Sequence, residues 1–159
     1  MKKVLIGIIV LLVCILCVIF VFYKKKITFK IPSFDENATV IPEKIDNEYY
    51  TNLDVTDGLS IGVSGVISVD SNNEGSVNLT SSVDNKAYVK ARLLDSSNNI
   101  VGETGLIKPG EYVEKMKINK NINEKDKFTL KIMSYDPNTY YSMAAVKLSV
   151  SLRKMKNEK

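Results

Sequence analysis

Ser60-Ile61-Gly62-Val63-Ser64-Gly65-Val66-Ile67-Ser68-Val69 is the stretch that decides the fold. Ile61, Val63, Gly65, Ile67 and Val69 fall on odd positions, with Ser60, Gly62, Ser64, Val66 and Ser68 between them. Successive side chains of an extended strand point to opposite faces, so a period of two predicts a strand with one apolar face. The same grammar recurs along the chain. Val77, Leu79, Ser81 and Val83 make a second strand, and Ala87, Val89, Ala91 and Leu93, alternating with Tyr88, Lys90, Arg92 and Leu94, a third. Ile100 to Ile107 is a fourth, and Tyr112, Glu114, Met116 and Ile118 line one side of a fifth. Phe128, Leu130 and Ile132 open a sixth that runs to Tyr135, and Val146, Leu148, Val150 and Leu152 define the last.

Turn-forming residues punctuate these runs: Asp70-Ser71-Asn72-Asn73-Glu74-Gly75, Asp84-Asn85-Lys86, Asp95-Ser96-Ser97-Asn98-Asn99, Lys108-Pro109-Gly110 and Asp136-Pro137-Asn138. Pro109 and Gly110 suit the second and third positions of a type II turn. Seven or eight short strands with such spacing predict an all-β domain, an immunoglobulin-like antiparallel sandwich over residues 49–153. No stretch after residue 23 sustains a helical period.

Upstream lies a different kind of sequence. Residues 4–23, Val4 to Tyr23, carry no charge and no polar group beyond Cys14, Cys17 and the terminal Tyr23. At helical rise this run spans about 30 Å, the thickness of a bilayer core. It is longer than a signal-peptide core and leads into Lys24-Lys25-Lys26 without an Ala-x-Ala site, so an uncleaved transmembrane helix is expected. Residues 1–3 are its N-terminal flank, 24–48 a juxtamembrane tether with Pro32 and Pro42, and 154–159 a basic tail. Within the tether, Phe34, Val40 and Ile41 are candidates to dock on the domain. The lipid bilayer is therefore the first partner, met through residues 4–23. A β-domain behind such an anchor is expected outside the cell, although Lys24, Lys25, Lys26 and Lys30 against Lys2 and Lys3 argue the other way.

The net charge of +4 belongs to the flanks of that run. Beyond Ile31 there are 16 basic residues against all 18 acidic ones. Phosphate recognition needs clustered Lys and Arg, so a nucleic-acid partner is disfavoured by sign and none is expected. Both cysteines, Cys14 and Cys17, lie inside the apolar run and leave the β-domain without a thiol. They share a helix face and read as apolar filler; neither is preceded by the small residue that lipoprotein processing needs.

The chain has no histidine. Ser-His-Asp and Cys-His catalysis and imidazole metal sites are thereby excluded, and no phosphate-cradling Gly-x-x-x-x-Gly-Lys-Ser/Thr loop occurs. The expectation is a protein that is not an enzyme and carries neither cofactor nor metal. Asp70-Ser71-Asn72-Asn73-Glu74-Gly75-Ser76-Val77 resembles the first part of a calcium loop, but Ser81 stands where Glu should close it, and a hairpin turn accounts for the composition. Tyrosines offer the other exposed chemistry: Tyr49 and Tyr50, and around the last hairpin Tyr135, Tyr140 and Tyr141, a candidate protein-contact surface as well as ordinary strand residues.

Two blocks carry a family resemblance. They are Asn98-Asn99-Ile100-Val101-Gly102-Glu103-Thr104-Gly105-Leu106-Ile107-Lys108-Pro109-Gly110-Glu111-Tyr112-Val113 and Lys131-Ile132-Met133-Ser134-Tyr135-Asp136-Pro137-Asn138-Thr139-Tyr140-Tyr141-Ser142. With the N-terminal run they resemble small single-pass membrane-anchored proteins of low-GC Gram-positive bacteria associated with conjugative elements. The resemblance implies an anchored β-sandwich in a mobile-element setting, and no defined activity. A bias of 20 Lys to 2 Arg agrees with low-GC coding. The expected role is a non-catalytic interaction or structural module at the cell membrane with a protein partner at its surface, an accessory of a conjugation or secretion assembly. A surface binder of a ligand or wall polymer is the alternative, although the aromatic platform of a polymer binder usually includes Trp and here there is none. An anchored hydrolase is a third class, for which no catalytic pair is evident.

Overall fold

A computed structural model describes residues 11–16, 30–55, 58–121 and 123–155. The chain divides into two compact units, residues 1–31 and residues 32–159. In the first, residues 11–16 are helical and exposed; no helix among the described residues is long and apolar enough to cross a membrane. The expected span over residues 4–23 lies mostly outside the described residues, as do Cys17 and the tail beyond residue 155.

The second unit is all β. Its strands are β1 (Thr39–Val40), β2 (Tyr50–Val55), β3 (Leu59–Ser64), β4 (Val66–Val69), β5 (Glu74–Ser81), β6 (Tyr88–Leu94), β7 (Ile100–Glu103), β8 (Glu111–Lys117), β9 (Phe128–Tyr135) and β10 (Ser142–Lys154). They form one curled sheet in the order β1-β8-β5-β4-β10-β9-β6-β7, with β3 joined to β5 and β2 outside β3. An isolated bridge between Gly102 and Ile118, and the Asn119 N–H donating to the Val101 carbonyl at 2.7 Å, bring the end of β8 beside β7. The curl thus closes on itself around one core, to which Val63, Ile67, Leu79, Leu93, Leu130 and Leu152 contribute from six strands.

β10 makes the curl possible. Its first part pairs antiparallel with β9, from Ser142 opposite Tyr135 to Val150 opposite Phe128. β9 begins at Phe128, and from Ser151 onward β10 pairs in parallel with β4, Ser151 opposite Val66 and Lys154 opposite Val69. The expected all-antiparallel arrangement is corrected here: the sheet is mixed. Alternation survives the change of partner, with Val146 and Leu148 half-buried and Val150 and Leu152 buried, while Lys147, Ser149, Ser151 and Arg153 stay exposed.

Three further expectations are revised. The run from Ile61 to Val69 is two strands, because at Gly65 the backbone leaves β5's edge: the Gly65 N–H donates to Tyr49 and its carbonyl accepts from Ser151. In β8 the buried residues are Val113 and Met116, followed by Ile118, whereas Glu114 is exposed. The slip faces an irregularity in β5 between Ser76 and Leu79, where Asn78 has φ of 48°. Such bulges put an extra residue into one strand and re-aim its neighbours. Between Ile100 and Ile107 the strand breaks at Thr104, whose Oγ1 accepts the Ala91 N–H at 3.0 Å while its own N–H donates to the Ala91 carbonyl.

Residues 32–48, read as tether from sequence, lie along the sheet. Leu106 and Phe34 form a parallel bridge, Ala38 packs on the core, and Thr39–Val40 pair with Tyr112 and Glu111. Gly105 makes this possible: any Cβ there would collide with the backbone of Phe34 and Asp35. Asp35 Oδ2 accepts the Gly105 N–H at 2.6 Å.

Leu152 is 1% exposed and Ser151 beside it is on the solvent face. Truncating a buried Leu to Ala typically costs about 2–5 kcal/mol, and an exposed substitution stays within about 0.5 kcal/mol. Denaturant midpoints of residues 32–159 should therefore fall sharply for Leu152→Ala and barely for Ser151→Ala. Equal effects would show that β10 does not hold the two parts of the sheet together.

Candidate functional site

Two clusters and one groove gather the chemistry of the domain. The tyrosines of the last hairpin do not share a face. Tyr135 is 6% exposed and packs with Leu106 and Met133, its hydroxyl donating to Met133 Sδ at 3.7 Å. Tyr140 is half-buried; its ring lies 6.0 Å from Tyr88 and 6.4 Å from Phe34, which itself meets Tyr88 edge-on at 5.1 Å. Tyr141 is 60% exposed. Of the three, Tyr141 points its area outward, while Tyr135 and Tyr140 build a small aromatic core under the incoming Phe34. Sequence reading singles out the tyrosines but not Tyr88 or Phe34 as their companions, since those contacts join residues far apart in the chain.

Asp136 shapes the hairpin. Its Oδ1 accepts from the N–H groups of Asn138 and Thr139 and from Thr139 Oγ1, and Tyr140 takes φ of 59°. Two other loops follow a common plan. Oδ1 of Asp70 accepts the N–H groups of Asn72 and Glu74, and Oδ1 of Asp95 those of Ser97 and Asn99. Asn73 and Asn98, three residues after each Asp, adopt φ of 60° and 62°, a region that Asn tolerates better than most residues. Each Asp also meets a lysine: Lys115 at 3.1 Å and Lys120 at 2.9 Å. The carboxylate of the calcium-like stretch is thus bound to its own turn and to Lys115. Among the described residues no group of three acidic, cysteine or histidine side chains is placed to hold a metal.

The concave feature lies on the outer side of β5. Its inward side chains, Val77 and Leu79, enter the core; its outward ones, Asn78 and Thr80, are also buried, under residues 41–52. Asn78 Oδ1 accepts from Asn47 Nδ2 at 2.8 Å and Ser64 Oγ at 2.9 Å, and Asn78 Nδ2 donates to the Tyr112 hydroxyl at 2.7 Å. Burial raises the Tyr112 pKa above its ordinary value, against the Asn78 bond that lowers it. Nearby, Asn85 acts as a piece of strand: its Oδ1 accepts the Ser60 N–H and its Nδ2 donates to the Ser60 carbonyl, both at 2.8 Å. No described buried side-chain polar atom is left without a partner, as burial of such groups requires.

Beside this network opens a groove of about 500 Å³. Ile41, Pro42 and Ile45 give it an apolar side, and Tyr50, Asn52, Ser60, Thr80 and Ser82 a neutral polar one. The Tyr50 hydroxyl bonds to Thr80 Oγ1 and donates to Asn52 Oδ1, both at 2.9 Å. Its ring crosses Gly62, where a Cβ would occupy the same space. Among the described residues, Glu43 is the one charged member of the lining. Such a surface suits an uncharged ligand with hydroxyl or amide groups, or an extended peptide, and supplies no general acid–base pair. Sequence reading marks Tyr50 without its neighbours: Asn78 and Thr80 sit where alternation predicts solvent, and Asn47 lies in the stretch read as tether. Comparison with known proteins adds nothing to this geometry: no family model and no curated protein matches the chain.

The groups whose pKa values are displaced are held by the fold. Asp70 is held below its ordinary pKa by the Glu74 N–H and then Lys115, Asp95 well below the usual carboxylate range by Lys120 and then the Asn99 N–H, and Asp136 by Thr139. Burial pushes Glu103 up, but Lys90 and Arg92, each 3.0 Å away, outweigh it and leave it lowered. Lys115 is raised by Asp70. A lowered carboxylate stabilises the fold above its unfolded pKa of about 4 and loses that contribution as pH falls through the folded value. The raised Lys115 and Tyr112 contribute below about pH 10 and lose their contribution as pH rises further. With no histidine in the chain, the denaturant midpoint should be flat from about pH 5 to pH 9, fall below about pH 4 and fall again above about pH 10. A change between about pH 5.5 and pH 8 would contradict these assignments.

Proposed function

We propose that the chain is a membrane-anchored, non-catalytic interaction module whose β-unit is an immunoglobulin-like sandwich displayed outside the cell. The observation that carries this reading is the helical stretch 11–16. Leu11, Leu12, Val13, Ile15 and Leu16 are 47–63% exposed, and six successive residues at 3.6 per turn point all the way round a helix. A helix that is apolar all round needs a buried or lipid environment, and this stretch lies within an uncharged run of membrane-spanning length, residues 4–23. The uncharged run ends at residue 23 and the β-unit begins at residue 32, so residues 24–31 separate them. Fully extended they span at most about 29 Å. The domain acts within that distance of the bilayer, as an accessory at the surface of a conjugation or secretion assembly would, with Tyr141 and the groove beside Tyr50 as the surfaces open to a protein partner.

A second reading, a surface protein that binds a ligand or wall polymer, is favoured by the neutral polar groove. It predicts wall-polysaccharide binding that Tyr50→Ala abolishes and Ser149→Ala preserves.

For the anchored reading, the full chain should sediment with membranes and resist extraction by alkaline carbonate. Protease added to intact, wall-stripped cells should remove the β-unit. Release by carbonate would defeat the anchor; survival of the β-unit until the membrane is permeabilised would put it inside.

A further inference from the structure

The end of the β-unit at which the chain enters carries three exposed apolar side chains around one turn. The Lys108-Pro109-Gly110 turn is closed by the Glu111 N–H donating to the Lys108 carbonyl at 3.1 Å, with Gly110 at φ of 81°. Gly110 N–H donates to the Ser81 carbonyl at 2.8 Å, and the Gly110 carbonyl accepts from the Ile41 N–H at 3.2 Å. Those two bonds bring the segments bearing Val83 and Val40 to either side of the turn. Val83 is 71% exposed and Val40 83%, and a side chain added at Gly110 would meet Val83 at 3.2 Å. At the start of the turn, Lys108 Nζ stands 5.0 Å from the centre of the Phe34 ring, which is 37% exposed. Among the described residues, Val40 and Val83 belong to neither apolar cluster of the β-unit.

The same place receives the chain. Leu106 N–H donates to the Ser33 carbonyl and Asp35 N–H to the Leu106 carbonyl, both at 2.9 Å. Residue 32 is thereby fixed two residues in sequence from Phe34 and beside the strand leading into Lys108. We infer that this turn, with Phe34, Val40 and Val83, is a membrane-seating face, and that its occupant is the lipid bilayer rather than another protein. The inference rests on the anchored reading. Residues 24–31 span at most about 29 Å even fully extended, so on the anchored reading residue 32 and the turn beside it come within that distance of the bilayer. A Phe and two Val side chains supply apolar burial in the headgroup region, and a lysine beside them keeps its charge in water while its stem lies along the apolar surface. Lys108 also lies 3.9 Å from Glu111, so seating at the turn depends on apolar contact.

The chain has no tryptophan, so a single introduced one reports its own surroundings. Val83→Trp, Val40→Trp and Ile100→Trp all replace residues at least half exposed, so none opens the core. Ile100 pairs with Leu94 at one end of β6, whereas Ile107, next to the turn, pairs with Val89 near the other; Ile100→Trp is therefore the distant control. Full-length variants would be reconstituted into vesicles of phosphatidylcholine and phosphatidylglycerol, with and without bromine on the acyl chains. Emission from the Val83→Trp and Val40→Trp variants should move to shorter wavelength and lose intensity to bromine, with Ile100→Trp unchanged in both. If the protein floats with the vesicles and all three variants behave alike, the seating face is overturned and the anchor stands. A shorter-wavelength emission that bromine does not quench would mean that protein, a second copy or another chain, covers the face, which also overturns it. Failure to float with the vesicles removes the anchor and the face together.

Discussion

Everything in the β-unit hangs on β10 keeping its alternation while it changes partner. A strand that pairs with β9 on one edge and then with β4 on the other belongs to both parts of the sheet, and its apolar residues must face one core throughout. Val150 is the last residue paired with β9, and Leu152, on the same face, already lies opposite Ile67 in β4. A slip of one residue at Ser151 would turn Leu152 to solvent and bring Arg153 inward. Bonds at the crossing oppose such a slip: Ser151 N–H to the Gly65 carbonyl, Met155 N–H to the Val69 carbonyl, and the Lys154 N–H to Glu124 Oε1 at 2.9 Å. The break at Gly65 belongs to the same constraint, since β4 must leave β3's line to lie beside β10.

This also separates what the sequence discloses from what it conceals. Strands with one wet face are legible: the alternation of Phe128 to Ile132 matches the first part of β9, and that of Val146 to Leu152 matches the face of β10 that enters the core, whereas Met133, Ser134 and Tyr135 are all buried and carry no alternation. Turns are legible where local chemistry decides them, as at Lys108-Pro109-Gly110 and the Asp-led loops. Alternation reports only which face is apolar, and is silent on which edge a strand offers to which neighbour. It runs straight through Gly65, where the residue pattern continues but the hydrogen-bond partner changes. In β8 it takes Tyr112 and Glu114 for the buried face, because the bulge that flips the pattern lies in the opposite strand at Asn78.

The groove is hidden for a related reason. Polar residues at alternate positions of β5 read as solvent-facing, yet Asn78 and Thr80 are 6% and 4% exposed. They are covered by a polar segment, residues 41–52, and that layer holds through hydrogen bonds instead of apolar contact. Each such bond contributes only about 0.5–1.5 kcal/mol net, but leaving one buried partner unmatched costs about 1–3 kcal/mol. Asn47, Ser64, Asn78 and Tyr112 satisfy one another as a set, so the layer is specific without being greasy. A region fixed by matched polar bonds beside a surface cleft can also exchange some of them with a polar ligand, which a layer of Leu and Val cannot.

The N-terminal segment joins these parts into one argument about function. Gly105 lets the backbone of Phe34 and Asp35 lie on the strand, Ala38 enters the core, and Ile41 and Ile45 then form one wall of the groove. Of the residues 24–48 that read as loose tether, those from Pro32 onward belong to the β-unit. Phe34 is joined to the groove wall by a segment bonded to the rest of the β-unit, the Asp35 N–H donating to the Leu106 carbonyl and the Ile41 N–H to the Gly110 carbonyl. The entry segment and the groove wall are consequently one continuous piece of the β-unit.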